Sequence, residues 1–263
     1  MELRPSFPRI IGTAPLAKGL VFAALGGGAG TVTAFDASQH GKHSTLTGMD
    51  PATDWVDVPE LGRKALDFAG DNDELVIPGT PLNALTAFTF SAWSYRRTSD
   101  NFENALAFKA NEFAVTMDQT PPYPTELWLR DGAGWSKTGT LQATGPLSVW
   151  QHVAVTFDGV SGRGYIDGVL TMGPSADAKQ NTTADLRLMF DVTTSTYMDG
   201  QMADPCLWNR ALSPNEIAAL ADPSNTLLEV GNQPLIWTPR QMSYFYATLS
   251  TLTLVDNMAH WVY

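Results

Sequence analysis

The sequence predicts an all-β chain: a two-sheet antiparallel β-sandwich of the jelly-roll kind with one short helix and an extended C-terminal arm. Three observations carry that prediction. The apolar segments are short, rich in Val, Phe, Trp, Tyr and Thr, and bounded by Gly, Asn, Asp or Pro, as strands are. Within the clearest of them the side chains alternate. In Phe88-Thr89-Phe90-Ser91-Ala92-Trp93 one face takes Phe88, Phe90 and Ala92, and farther on Val153, Val155 and Phe157 alternate with His152, Ala154 and Thr156. Turn pairs then separate successive segments: Asp158-Gly159 and Asp167-Gly168 each supply a tight reversal.

Taken in order, strands are expected at 19–25, 44–46, 65–68, 75–76, 88–93, 105–109, 113–117, 127–130, 150–157, 186–190 and 201–208, with a further strand at Tyr165 between the two Asp-Gly turns. Phe88, Phe90, Trp150, Val153, Val155 and Phe157 are expected to fill the space between the sheets. One helix is predicted from Ser213-Pro214-Asn215-Glu216, which combines an N-cap, proline at the first helical position and glutamate at the third; it ends by Pro223. Beyond it the composition changes. The stretch 223–263 carries few charges and the aromatics Trp237, Tyr244, Phe245, Tyr246, Trp261 and Tyr263, too apolar to stay in water alone. The domain plan is an N-terminal extension (1–15), a sandwich (16–222) and an aromatic arm (223–263).

A net charge of −11 with only 16 Lys and Arg lacks the basic footprint that phosphate binding needs, so no nucleic-acid partner is expected. The apolar run near the N-terminus is too short for a secretory signal, and no stretch approaches the ~20 residues of a membrane-spanning helix, so no membrane partner is expected either. The single cysteine, Cys206, excludes an intrachain disulfide and a cysteine-based zinc cage, which suits a reducing compartment.

Enzymatic patterns are missing. No Gly-x-Ser-x-Gly elbow occurs, and Gly26-Gly27-Gly28-Ala29-Gly30 lacks the lysine and strand-helix context of a phosphate loop. Asp71-Asn72-Asp73-Glu74 reads as a solvated turn rather than the paired carboxylates of a glycosidase. The histidines at 40, 43, 152 and 260 are scattered, and His152 reads as a packed, hydrogen-bonded strand residue. The chain is therefore expected not to be an enzyme. Trp55, Trp128 and Trp135 are candidate aromatic platforms for a sugar, Trp128 and Trp135 above all. The alternative is that Trp128 is an ordinary strand residue between Leu127 and Leu129 and that Trp135 packs back over its turn.

Six segments in fixed order resemble the laminin-G-like, concanavalin-A-like jelly-roll domains over roughly residues 16–222. They are Gly19-Leu20-Val21 leading to Phe35-Asp36-Ala37-Ser38-Gln39-His40-Gly41-Lys42-His43, Ala65-Leu66-Asp67-Phe68-Ala69-Gly70-Asp71-Asn72-Asp73, the strand at 88–93, Trp150-Gln151-His152-Val153-Ala154-Val155-Thr156-Phe157-Asp158-Gly159, Tyr165-Ile166-Asp167-Gly168, and Trp208-Asn209-Arg210-Ala211-Leu212-Ser213. The resemblance implies a structural calcium ion between Asp36 and Asp204, completed by loop carbonyls. Against it, Ala203 stands where a second acid is common, and both aspartates could instead cap turns. No other cofactor is implied.

The resemblance also implies two functions. Single-domain relatives are similar to structural proteins of tailed phages, so the leading expectation is a virion protein made in the host cytoplasm, a capsid decoration or head-surface protein. Its partners would be the major capsid protein and copies of itself, contacted through Trp237, Tyr244, Phe245, Tyr246 and Trp261. The alternative is a carbohydrate-binding module for attachment or adhesion, with glycans as partners of Trp128 and Trp135.

Overall fold

The computed structural model describes residues 15–25, 32–38, 40–80, 82, 85–98, 104–117, 124–143 and 145–225. The N-terminal extension through residue 14 and the arm from residue 226, with Trp237, Tyr244, Phe245, Tyr246 and Trp261, lie outside the described residues.

A 3-10 turn (Pro15–Ala17) leads into β1 (Leu20–Ala23), β2 (Thr33–Ala34), β3 (Ser44–Thr47), β4 (Trp55–Val58), β5 (Arg63–Ala69) and β6 (Glu74–Ile77). The middle of the chain forms β7 (Phe88–Arg96), β8 (Asn104–Lys109), β9 (Phe113–Met117), β10 (Thr125–Arg130), β11 (Trp135–Gln142) and β12 (Trp150–Phe157). Then follow β13 (Ser161–Ile166), β14 (Val169–Ala176), β15 (Leu186–Leu188), β16 (Phe190–Asp191), β17 (Thr196–Tyr197), β18 (Asp199–Trp208) and the helix α1 (Pro214–Leu220).

Two antiparallel sheets result. The first runs β14-β13-β12-β7-β18-β5-β4 with β1 also on β18, and the second runs β11-β10-β9-β8-β15-β6-β3-β2. The expected strand at 186–190 is split, because Met189 takes a left-handed φ of 64° between β15 and β16. Among the described residues no helix is long and apolar enough to cross a membrane.

The core lies between the sheets where alternation places it. Phe88 stacks on Phe113 with ring centroids 4.4 Å apart and meets Phe157 at 6.1 Å, while Phe90, Val153 and Val155 extend the same layer. Trp55, a candidate platform by sequence, is buried in this core. Trp150 departs from expectation in the other direction. It shares parity with His152, not with Val153, and so faces outward, packed at an angle on Tyr95 at 5.5 Å.

One end of the sandwich is closed by buried charge. Lys109 and Glu112 are fully buried and ion-paired, and Lys179 reaches the other Glu112 oxygen at 2.7 Å. Lys109 also donates to the Thr182 carbonyl at 2.7 Å, so the group pins the 177–185 segment to the β8–β9 turn. Against the outer face of the first sheet, where Ile217 packs with Ala154, Tyr165 and Trp208, α1 starts as its sequence dictates: the Ser213 hydroxyl accepts from the Glu216 N–H and the Glu216 carboxylate accepts from the Ser213 N–H. Arg210 binds Glu216 and donates to the Lys18 and Pro15 carbonyls, tying the start of the described chain to its end.

Candidate functional site

Strand β10 alternates cleanly. Leu127 and Leu129 point into the core, so Glu126, Trp128 and Arg130 stand on the outer face of the second sheet. β11 pairs with it so that Lys137 lies opposite Trp128 and Trp135 lies opposite Arg130. Both tryptophans therefore occupy one face of one hairpin, and both are half-buried.

Their surroundings differ. The Trp128 indole N–H donates to Glu126 at 3.2 Å, the other Glu126 oxygen accepts from Lys137 at 3.0 Å, and the Lys137 ammonium lies 6.0 Å from the Trp128 ring. Trp135 lies across the neighbouring strands to reach Phe108, with ring centroids 5.5 Å apart, and Ala114 beneath it on β9 leaves the room. It thus packs back over its turn and still shows part of its ring. Arg130 sits 5.9 Å from the Trp135 ring, and its buried Nε–H has no partner among the described residues. The face offers two indole surfaces ringed by a carboxylate, an ammonium and a guanidinium.

The aspartates are placed elsewhere. Asp36 is buried; one carboxylate oxygen accepts from the Ala23 and Ser38 N–H groups at 3.0 and 2.8 Å, and the other from the Ser38 hydroxyl and the Lys42 N–H, both at 2.7 Å. Asp204 sits in a β-bulge between Ala203 and Cys206, with a left-handed φ of 49°, and is ion-paired with Arg63. Four donors occupy the first carboxylate and a guanidinium the second. Among the described residues no group of three or more His, Cys, Asp or Glu side chains is placed to hold a metal ion. As placed, Asp36 and Asp204 do not fit a calcium shell, which needs 6–8 free oxygen ligands.

The bulge serves another site that the sequence reading did not single out. On the outer face of the first sheet, Arg63, Ser91, Trp93, His152, Asp204 and Cys206 line a pocket of about 320 Å3, walled on its far side by Pro15, Leu16, Ala219, Leu220 and Asn225. His152 is 1% exposed, and its Nε2 shares a hydrogen bond of 2.8 Å with the Ser91 hydroxyl. Burial, reinforced by the Arg63 charge, lowers the imidazole from 6.5 to about 3. Burial likewise pushes the Cys206 thiol well above its usual range, so it is inert as a nucleophile. The packed-strand reading of His152 holds in that it has a strand partner, Ser91, but that partner is 61 residues away in the chain.

Residues 69–218 match the family described as the concanavalin A-like lectin/glucanases superfamily, the Laminin_G_3 domain. The chain belongs to this family. No curated protein sequence matches this laminin-G-type chain. Its sandwich is similar to that of domain 4 of AbnA, an extracellular arabinanase from Geobacillus stearothermophilus solved with arabinotriose. The TM-score is 0.59 at 18% identity, covering 77% of this chain and 98% of that domain. It is similar too to the binding domain of Paraclostridial Mosquitocidal Protein 1, at TM-score 0.58 and 15% identity over 79% of this chain and 52% of that one. A third likeness is to a structure of botulinum neurotoxin type C bearing on its interaction with two ganglioside molecules, at TM-score 0.58 and 11% identity over 78% and 51% of the respective chains. This laminin-G-type chain spans about half the length of the two toxin structures. The likenesses are of fold, and none of the three is a virion protein, so the capsid-decoration expectation finds no support among them.

Proposed function

We propose that the protein is a carbohydrate-binding module whose site is the outer face of the β10–β11 hairpin. The observation that carries this reading is the pairing of Trp128 and Trp135 on one half-buried face, flanked by Glu126, Arg130 and Lys137. Sugar rings present an apolar C–H face and a polar hydroxyl edge. An indole covers the first, and planar carboxylate and guanidinium groups bind the second in two-point fashion. The unpartnered Arg130 Nε–H is a donor that a sugar hydroxyl would satisfy. Two neighbours in fold support the same class of ligand, one solved with arabinotriose and one concerned with gangliosides. This reading fits the family better than attachment to a capsid, whose contact residues lie outside the described chain.

The test is a polysaccharide and glycan panel, including arabinan and ganglioside headgroups, followed by isothermal titration of any hit with Trp128→Ala and Trp135→Ala. Each substitution is expected to weaken binding at least about ten-fold while the fold persists. Saturable binding that both variants retain would overturn the assignment to this face.

A further inference from the structure

The hairpin leaves the pocket on the opposite sheet unused, and its chemistry is unlike that of a solvent-filled crevice. Two of its lining side chains carry buried ring nitrogens without a partner among the described residues: Nε1 of Trp93, which is 6% exposed, and Nδ1 of His152. Native proteins rarely leave such groups unsatisfied. The two rings meet edge to face at 5.4 Å, so they belong to one patch of the pocket floor.

The charges around that floor cancel. Arg63 is paired with Asp204, and the rest of its guanidinium is taken up by the Leu61, Pro223 and Asn225 carbonyls. His152 is neutral at ordinary pH. Neither an anion nor a cation would find an uncompensated partner here. A hydroxyl would, because it both donates and accepts: it can take the Trp93 N–H and meet His152 Nδ1 in either tautomer. The volume of about 320 Å3 lies at the lower end of small-ligand pockets, the scale of one sugar ring with its hydration.

The strand register extends the site. Two residues along β7 and β12 from Trp93 and His152, Trp150, Tyr95, Gln201 and Asp67 fall in one row across four strands. Tyr95 and Trp150 are half-buried and packed on each other, Gln201 donates to Asp67 at 2.9 Å, and Asp67 is also ion-paired with Arg97. An aromatic shelf followed by an amide and a carboxylate thus adjoins the pocket at a spacing of about 7 Å.

We propose that the pocket between the first sheet and Leu16, Leu220 and Asn225 is a second saccharide site that takes a single neutral sugar ring, with Tyr95 and Trp150 as the shelf for the next ring. The site is independent of the hairpin and would make the module two-faced.

The test follows the indole N–H cross-peaks of the full chain, assigned by Trp→Phe variants, while neutral methyl glycosides of glucose, galactose, mannose and arabinose are added. The Trp93 signal is expected to move saturably with at least one of them. Ser91→Ala should weaken that titration about ten-fold, and Trp128→Ala with Trp135→Ala should leave it unchanged; Trp93→Phe, which removes the reporting N–H, should weaken binding of the same glycoside about ten-fold by isothermal titration. Ser91→Ala removes only a hydroxyl and guards against a Trp93 variant that fails to fold. A Trp93 signal that stays fixed in the folded, unmodified protein would overturn the proposal and mark the pocket as a water site. Movement of Trp128 and Trp135 alone would overturn it while sustaining the hairpin; movement of Trp93 alone would sustain it and remove the hairpin.

Discussion

Replacing His152 with Gln should change how the stability of the fold depends on pH more than it changes stability at neutral pH. The folded imidazole titrates at about 3, against 6.5 when free, because it is 1% exposed between Ser91, Trp93 and the Arg63 charge. Between those two values the unfolded chain binds a proton that the folded chain refuses, so the unfolded state gains as pH falls. The stabilising contribution is complete above 6.5 and is lost as pH drops from 6.5 toward 3. Each pH unit below 6.5 is worth at most about 1.4 kcal/mol, so the unmodified protein should lose about 2 to 3 kcal/mol from this group alone by about pH 4.5. His152→Gln has nothing to titrate there and should lose that much less. Urea midpoints for both proteins at about pH 7.5, 5.5 and 4.5 give the difference directly, with other titrating groups common to the pair. Stability curves that stay parallel over this range would refute the reasoning, as would an imidazole carbon-bound proton resonance with a midpoint near 6.5.

Other perturbations test separate parts of the fold. Glu112→Gln leaves the buried Lys109 and Lys179 ammonium groups without their carboxylate, and should cost about 3 to 5 kcal/mol in urea unfolding; a loss under about 1 kcal/mol would mean the group is not desolvated as placed. Asp36→Ala strands four donors, on Ala23, Ser38 and Lys42, and should cost about 2 to 4 kcal/mol, while calcium added to the unmodified protein should leave its melting temperature unchanged; a calcium-dependent rise would restore an ion at Asp36. Trp135→Ala uncovers Phe108 and should destabilise by about 1 to 2 kcal/mol, whereas Trp128→Ala should stay within about 1 kcal/mol of the unmodified protein; equal losses would show that both rings serve packing alone.

What the sequence made legible follows where local periodicity meets a buried face. β7 and the Ser213 capping box were readable because each residue's role is fixed by its immediate neighbours: alternation in one, an i to i+3 exchange in the other. β11 and β14 were not. They are edge strands whose side chains mostly face solvent, Thr138 and Leu141 being the buried pair of β11 and Met172 the buried residue of β14, so no apolar alternation marks them. Trp150 shows the opposite error. Its size suggested the core, but parity with His152 put it outside, and parity is the stronger evidence because a one-residue shift would expose Val153, Val155 and Phe157.

The pocket lies beyond such local reasoning for a definite cause. Its floor is assembled by register across β12, β7 and β18, joining Trp93, His152 and Ser91 from strands about 60 residues apart. Its Asp204 is aimed by a bulge at which a non-glycine residue holds φ at 49°. The bulge also marks where β18 changes partner, since β5 pairs with it through Met202 and β1 takes over from Cys206. A strand flanked by two partners end to end leaves its middle unpaired on that side, and there Arg63 enters to meet Asp204. The strain at Asp204 therefore has a structural return: it fills the gap with an ion pair and leaves the pocket electrically neutral, which is the condition that favours an uncharged ligand over an ion. The hairpin face has the reverse character, with Arg130 half-buried and Lys137 exposed around the tryptophans and the buried Glu126 bonded to both Trp128 and Lys137. The two faces should accordingly differ in their response to ligand charge: binding of an acidic glycan at the hairpin weakens as ionic strength rises, and binding of a neutral sugar in the pocket does not.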